Sequence, residues 1–401
     1  MKLYITENGT PSGKSVVLDD LILTKDMPTT AGSKMLDGYK SLFNATVADK
    51  LADAGYSIAG KANIGEFSLD LLGETSYFGA TVKENGELTS ASAEIVKSGS
   101  VKGVVTVDVN GTPRRAAALS GLVFVKPTYG AVSRFGTVPV ACSGETIGVM
   151  AKTTDDCREL LGAIVGYDAK DGTSHADEKC ALVNTESAKK NGFKIALATS
   201  LCNTASGDTK AIIDEFKTIM SKNGVEVCEI DAKELTFAKT AWNVLMCAEM
   251  CNNVSRYDGI KYGYRSPDYK TIDELYTNSR TEAFGDLTKT AILFGSDCLS
   301  TENYMKVYDK SLRVRRVISE YFGKLFSEYD AVLMPACSKT AYTEIDVKEN
   351  PALSFDEALY TAPASITGMP AVVIGGVQLV ANAFSEGTLF EIAKIYEKEG
   401  K

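Results

Sequence analysis

The sequence is short of the residues that build metal sites. It has a single histidine, His175, and nine cysteines at irregular positions such as Cys142, Cys157, Cys202, Cys247 and Cys251, with no Cys-x-x-Cys pair. A zinc-type centre needs clustered Cys and His ligands, so neither a metal nor another cofactor is expected, and reduced thiols fit better than a disulfide framework. No run of eighteen apolar residues occurs, and the N-terminal MKLYITENGT lacks the apolar core of a signal peptide. Those absences point to a cytoplasmic protein with no membrane partner. Basic residues are also outnumbered: 43 Lys and Arg face 52 Asp and Glu, for a formal charge of −9. Phosphate binding needs clustered cations to displace counterions, so direct nucleic-acid binding is not expected.

What remains is an ordinary globular composition, 44% apolar and 24% charged in 401 residues, enough to bury a large core without staples. No repeat, low-complexity tract or Pro-rich linker divides the chain, so one domain is expected over 1–401. The most weakly patterned stretch, 168–192, contains DAKDGTSHADEK and reads as a polar surface loop. After it, FKIALAT (193–199) reads as a buried strand. DTKAIIDEFKTIMSKNG (208–224) then places Ile212, Ile213, Phe216, Ile219 and Met220 on one helical face, and VEVCEI (225–230) reads as a second strand. Strand, helix and strand in that order predict a parallel pair with a right-handed crossover. GVVTVDV (103–109), AVLMP (331–335) and AVVI (371–374) have the same buried-strand character. TTDDCRELLGAIVG (153–166) predicts a helix capped by Thr153. The alternation favours an α/β fold, a mixed sheet covered by helices on both faces.

Several longer segments carry a family resemblance. LDDLILTKDMPTTAGSKML (18–36), GKANIGEF (60–67) and above all VKPTYGAVSRFGTVP (125–139) with Ile147-Gly148 are similar to the amidase-signature family, whose core reads Lys-Pro-Thr-Tyr-Gly-x-Val-Ser-Arg-Tyr-Gly. SRYDGIKYGYR (255–265), AFGDLTKTAILFG (283–295) and TAPASITGMPA (361–371) resemble its amidotransferase A-subunit branch. The resemblance implies a large twisted mixed sheet sandwiched between helices. It also suggests that two family features are missing, an N-terminal helical region and a loop between the last two strands. Gly375-Gly376 stands in place of that loop, as in a two-residue hairpin turn.

The family's catalysis, by this resemblance, uses a Ser nucleophile in Asp-x-Gly-Gly-Ser-x-Arg, a bridging Ser in Gly-Gly-Ser-Ser-Gly-Gly and a neutral Lys as base. A hydroxyl is a weak nucleophile unless a positioned base takes its proton, and Lys can do so only where burial lowers its pKa. In this chain Thr112 occupies the nucleophile position within Asp108-Val109-Asn110-Gly111-Thr112-Pro113-Arg114, and Asn110 with Gly111 forms the oxyanion loop. The bridging pair falls on Leu88 and Thr89, and the base position is Asp19. A slip in the loop could bring Ser90 or Ser92 into place, and Lys61 is a conceivable substitute base, although it matches a separate family Lys. For substrate binding the resemblance points to Tyr264 and Arg315, with Ala358 where an acidic residue would hold a substrate ammonium and Asp356 and Glu357 just upstream. His175 reads as an exposed surface residue, Cys142 as a half-buried free thiol and Trp242 as core.

These substitutions imply an inactive family member acting in binding or assembly, with amidotransferase-like subunits, a second copy of itself, or a small amide or amino acid as partner. An active amide hydrolase or glutamine amidotransferase subunit using Thr112, and a small-molecule amide sensor, remain the alternatives.

Overall fold

The computed structural model describes residues 2–9, 11 and 13–399, and among these residues eleven strands carry the fold. They are β1 (Tyr4–Glu7), β2 (Ser15–Asp19), β3 (Ser57–Ala62), β4 (Gly103–Asp108), β5 (Val123–Lys126), β6 (Thr146–Ala151), β7 (Lys194–Ala198), β8 (Glu226–Ile230), β9 (Ala331–Pro335), β10 (Ala371–Ile374) and β11 (Val377–Val380). They form one sheet in the order β1-β3-β2-β4-β6-β5-β10-β11-β9-β7-β8. The sheet is mixed: β2 runs parallel to β3 and β4, β7 runs parallel to β8 and β9, and the β6, β5, β10 and β11 region between them is antiparallel.

Every residue of β2, β4, β5, β6, β9, β10 and β11 is buried. Alternate side chains enter two apolar clusters. Val16, Leu18, Val105, Val107, Val125 and Val149 belong to one, while Val17, Val104, Phe124, Met150 and Val373 belong to the other. Successive strand residues point to opposite faces, so both faces of the sheet are covered. This is why the strands read as continuous apolar runs rather than as an alternation.

The crossover unit is present, with β7 and β8 parallel and the helix Gly207–Lys222 between them. Its Ser206 cap accepts a hydrogen bond from the Thr209 amide, and Ile213, Phe216, Ile219 and Met220 are buried. Thr153 likewise caps the helix Thr154–Ile164 by accepting from the Asp156 amide. Gly375 and Gly376 close the β10–β11 hairpin with φ of 56° and 79°, the left-handed pair that a two-residue turn requires.

The 168–192 stretch is a loop only in part. It contains the helix Asp177–Asn184, which buries Cys180 and Val183. Ahead of that helix, Asp168 accepts from Thr46 and Ser133 at 2.6 Å each, and Asp171 accepts from the Arg134 amide at 2.8 Å. Short-range polarity hid these tertiary bonds.

Candidate functional site

The site grows from the end of β4. The chain leaves Asp108, turns through Val109, Asn110 and Gly111, and enters the helix Thr112–Ser120. Gly111 has φ 83°, and a Cβ there would lie 2.4 Å from the Thr361 side chain, so the turn admits only glycine. Asp108 accepts from the Gly111 amide at 3.0 Å and from Arg114 Nε at 2.6 Å. Arg114 also donates to the Thr361 carbonyl, Gln378 and Ser365. Both ions are fully buried and well bonded, a condition under which a buried pair holds a local geometry in place.

Thr112 is the first residue of that helix. Its hydroxyl donates to the Asp70 carbonyl at 2.7 Å. The segment that supplies this carbonyl, Asp70-Leu71-Leu72, is clamped from below by Arg115, which is fully buried. Arg115 donates to the carbonyls of Leu71 at 3.1 Å, Asn110 at 2.8 Å and Asp70 at 3.0 Å. Asn110 ties the same segment to a second one, donating to Leu69 at 3.0 Å and Ser354 at 3.3 Å. The free space beside Thr112 is ≈ 10 Å³, lined among others by Ser68, Leu72, Ser90, Ser92 and Thr106. That is room for about one water and none for an amide substrate.

The bridging positions point elsewhere. Leu88 lies in the apolar cluster with Ile95, Val96 and Tyr342, and its amide donates to the Tyr342 carbonyl at 2.7 Å. Thr89 donates its hydroxyl to Glu94 at 2.7 Å. Ser90 and Ser92 do share the small cavity with Thr112.

At the base position, Asp19 is fully buried and accepts three hydrogen bonds: from the Leu21 amide at 3.0 Å, the Thr106 hydroxyl at 2.8 Å and the Val107 amide at 2.5 Å. The last two bonds fasten β2 to β4, and Asp19 is not among the residues lining the cavity at Thr112. Burial pushes its carboxyl up to about 6 against these bonds. Lys61 donates to the Ile22 carbonyl and, at 2.6 Å, to Thr29, with Asp20 at 4.0 Å. Burial lowers Lys61 to about 8 and raises Asp20 to about 6. Lys61 therefore braces the loop after β2.

Tyr264 and Arg315 have separate neighbours. The Tyr264 hydroxyl donates to Glu282 at 2.5 Å, and Lys34 Nζ lies 4.0 Å from its ring centre. Arg315 Nη2 lies 3.4 Å from the Ser143 carbonyl. Ala358 is fully buried, Glu357 is bonded to Ser338, and Asp356 is bonded to Lys239 and Asn350. His175 is half-buried rather than exposed: its ring packs 5.0 Å from Phe384 and Nε2 lies 3.0 Å from the Tyr129 carbonyl. Burial pushes the Cys142 thiol up to about 11, far from a reactive thiolate. Trp242 is core.

Sequence reading missed Asp70 and Arg115. Asp70 is fully buried and its carboxyl is pushed up to about 8, first by burial and then by Glu74 beside it. The available signal was the apolar run Leu69-Asp70-Leu71-Leu72 with one acid inside it, and the paired Arg114-Arg115 at the start of a buried helix.

A mixed sheet between two helical layers, with an Asp108–Arg114 frame around a hydroxyl at a helix start, defines an amidase-type scaffold. A family model described as Amidase matches residues 7–390, and the chain belongs to that family. It is 35% identical over 405 residues to the A subunit of the glutamyl-tRNA(Gln) amidotransferase of Coxiella burnetii, covering 97% of this chain and 84% of that protein. The corresponding A subunit of Listeria monocytogenes is 33% identical over 412 residues, covering 98% and 85%. Among solved structures, the A subunit of the Thermotoga maritima glutamyl-tRNA(Gln) amidotransferase superposes with a TM-score of 0.82 at 28% identity, covering 99% of this chain and 87% of that one. The chain is an amidase-signature protein similar to these amidotransferase A subunits.

Proposed function

We propose that this protein is a catalytically silent amidase-signature member that acts by binding or assembly. The observation that carries the reading is the narrow space at Thr112, ≈ 10 Å³ with the hydroxyl already donating to the Asp70 carbonyl. A nucleophile must present its oxygen to a carbonyl carbon while a base takes its proton. Here the hydroxyl proton faces a carbonyl oxygen that cannot become a base, and the carboxylate at the base position already accepts from two donors on β4 and from the Leu21 amide in the turn after β2. Asn110 and Arg115 hold the closing segment Leu69–Leu71 by three hydrogen bonds, and Arg115 in turn fixes the Asn110 carbonyl.

The relatives are named as A subunits of an amidotransferase, so the partners proposed are amidotransferase-like subunits or a second copy of this chain. Ser90 and Ser92 beside Thr112 favour a second reading, an active hydrolase in which one of them relays the proton. Ammonia release from glutamine, asparagine and simple amides decides between them: silence supports the proposal, and turnover that disappears in Thr112→Ala overturns it.

A further inference from the structure

Between the short helix Val254–Arg256 and the helix Ile272–Ala283 the chain runs from 257 to 271 without a helix or strand, a length at which a loop is mostly either disordered or functional. This loop is fastened. The Tyr264 amide donates to the Met35 carbonyl at 2.7 Å, the Ser266 amide to the Ser279 hydroxyl at 3.0 Å, and the Asn278 side chain to the Asp268 carbonyl at 2.6 Å. From 260 to 274 every residue except Tyr264 and Ser266 is nonetheless exposed, so a fixed backbone presents its side chains to the surface.

Two kinds of side chain are presented. Ile260, Tyr262, Tyr269, Ile272 and Tyr276 are large, mostly apolar, and between 37% and 55% exposed. The Tyr262 ring lies 5.8 Å from that of Tyr39 and 5.9 Å from that of Tyr257 between centres, which ties the loop to the segment 34–40. Over the same area Lys34, Lys40, Arg256, Lys261, Arg265 and Lys270 form no ion pair among the described residues. The nearby acids answer them only in part. Glu282 accepts from Tyr264 and Ser266, Glu274 from the Lys270 amide and Asp258 from the Ile260 amide. That leaves Asp37, Asp268 and Asp273 without a side-chain bond among the described residues. Free cations therefore outnumber free acids here, on a chain whose total charge is −9.

Tyrosine and arginine held on a rigid surface carry much of the binding energy of protein interfaces, and unpaired cations select an anionic partner. Nucleic acid fits this surface less well. Stacked bases need open ring faces, whereas Lys34 lies 4.0 Å from the Tyr264 ring centre, Arg265 lies 5.2 Å from that of Tyr269, and Tyr262 already packs on two other rings. A long polyanion would also meet the negative field of the rest of the chain. A short acidic segment stays within a Debye length of these cations, about 8–10 Å near physiological salt.

We propose that this loop, with Lys34 and Lys40 beside it, docks an acidic peptide segment of a partner protein. Asp or Glu side chains of the segment pair with the cations, and its apolar side chains pack on Ile260, Tyr262 and Ile272. The surface gives the assembly role proposed above its class of partner and rests on that reading for its use, not for its existence. Ammonia release dependent on Thr112 would remove the assembly role and leave peptide binding in place. Absence of peptide binding would remove this surface and leave the silence of Thr112 in place.

Fluorescence anisotropy of the full chain against a labelled peptide repeating Glu-Asp-Leu, its neutral Gln-Asn-Leu counterpart and labelled oligouridylate tests the proposal. The acidic peptide is expected to bind about tenfold or more tightly than either of the others, and to weaken as salt rises from about 0.05 to about 0.5 M. Lys261→Glu with Arg265→Glu should weaken it by about tenfold or more. Lys222→Glu with Lys233→Glu, an equal charge change at exposed positions flanking β8 in the chain, should leave it unchanged. Tyr269→Ala with Ile272→Ala should weaken it about tenfold at an unchanged Tm. The proposal is overturned by no binding of the acidic peptide, by equal binding of the neutral one, or by tighter binding of oligouridylate. Equal losses in the two charge-reversed variants, or indifference to Tyr269→Ala with Ile272→Ala, overturn it as well, since the peptide would then answer to overall charge or sit elsewhere.

Discussion

At the scale of single residues, the proposal of a silent site rests on Thr112, Asp70 and Arg115. Purified protein is expected to release no ammonia from glutamine above background. Thr112→Ser should leave that unchanged, because a serine hydroxyl would meet the same Asp70 carbonyl. Asp19→Lys with Thr112→Ser should fail too, since members of a catalytic unit act together and Leu88 still fills a bridging position. Arg115→Ala removes three donors from buried carbonyls and leaves a void. A loss of about 3–5 kcal/mol is expected, read from the urea midpoint. The same clamp explains why the site could not be read from the family pattern alone: the residues that close it lie 42 and 3 positions from Thr112 in sequence.

The buried ions give a pH signature. Asp19 and Asp20 have folded pKa values near 6, above the ordinary carboxylate value. The folded state therefore holds protons that the unfolded chain has released, and stability falls as pH rises from about 4 to about 6 through Asp19 and Asp20 and on towards about 8 through Asp70. Lys61 runs the other way. Its folded value near 8 lies below 10.5, so stability recovers as pH rises from about 8 towards that value. Urea midpoints measured at intervals between pH 4.5 and 9.5 should trace this dip, and Asp20→Asn should make its acid side shallower. A stability that climbs steadily from pH 4.5 to 6.5 would contradict the assignment.

At the scale of elements, the local signals were clear wherever a segment's own chemistry sets its shape. The Thr153 cap, the crossover of β7 and β8, and the Gly-Gly hairpin all follow from spacing and residue type. The hairpin separates two physical effects. Both glycines have positive φ, but a Cβ on Gly375 would lie 2.4 Å from the Tyr396 ring, whereas one on Gly376 would lie 3.0 Å from an Ile212 methyl. Gly376→Ala should cost about 1 kcal/mol for the backbone alone. Gly375→Ala should cost roughly 2–4 kcal/mol because a packed ring must move as well, and thermal unfolding of the pair of variants measures the difference.

The whole molecule is organised by one sheet, which links the segment carrying Asp19 to the crossover unit through β4, β6, β5, β10, β11 and β9. We expect one cooperative unfolding transition across 1–401 and no pair of separately stable halves after limited proteolysis. The first cut should fall at 185–192, where all residues but Ser187 are exposed. Cleavage at 168–176, which the sequence alone would have favoured equally, should be slower, because Asp168 and Asp171 tie that part to Thr46, Ser133 and Arg134. Rapid cleavage there instead would show those bonds to be weak.

The sequence by itself determined the fold class, because buried strands, caps and turn glycines act over a few residues and leave a periodic trace. By resemblance it also assigned the family's nucleophile, bridging and base positions to Thr112, Leu88 with Thr89, and Asp19, the assignment on which the proposal of a silent site rests. Only the tertiary structure shows what surrounds those positions. Whether a carboxylate at 19 could act as a base depended on Thr106 and Val107, which lie on β4 and take up one of its oxygens. Whether Thr112 could receive a substrate depended on Asp70, Asn110 and Arg115 converging from separate segments. Such convergence leaves no periodic trace, because a cavity is a property of the residues that surround it and not of any one stretch of chain.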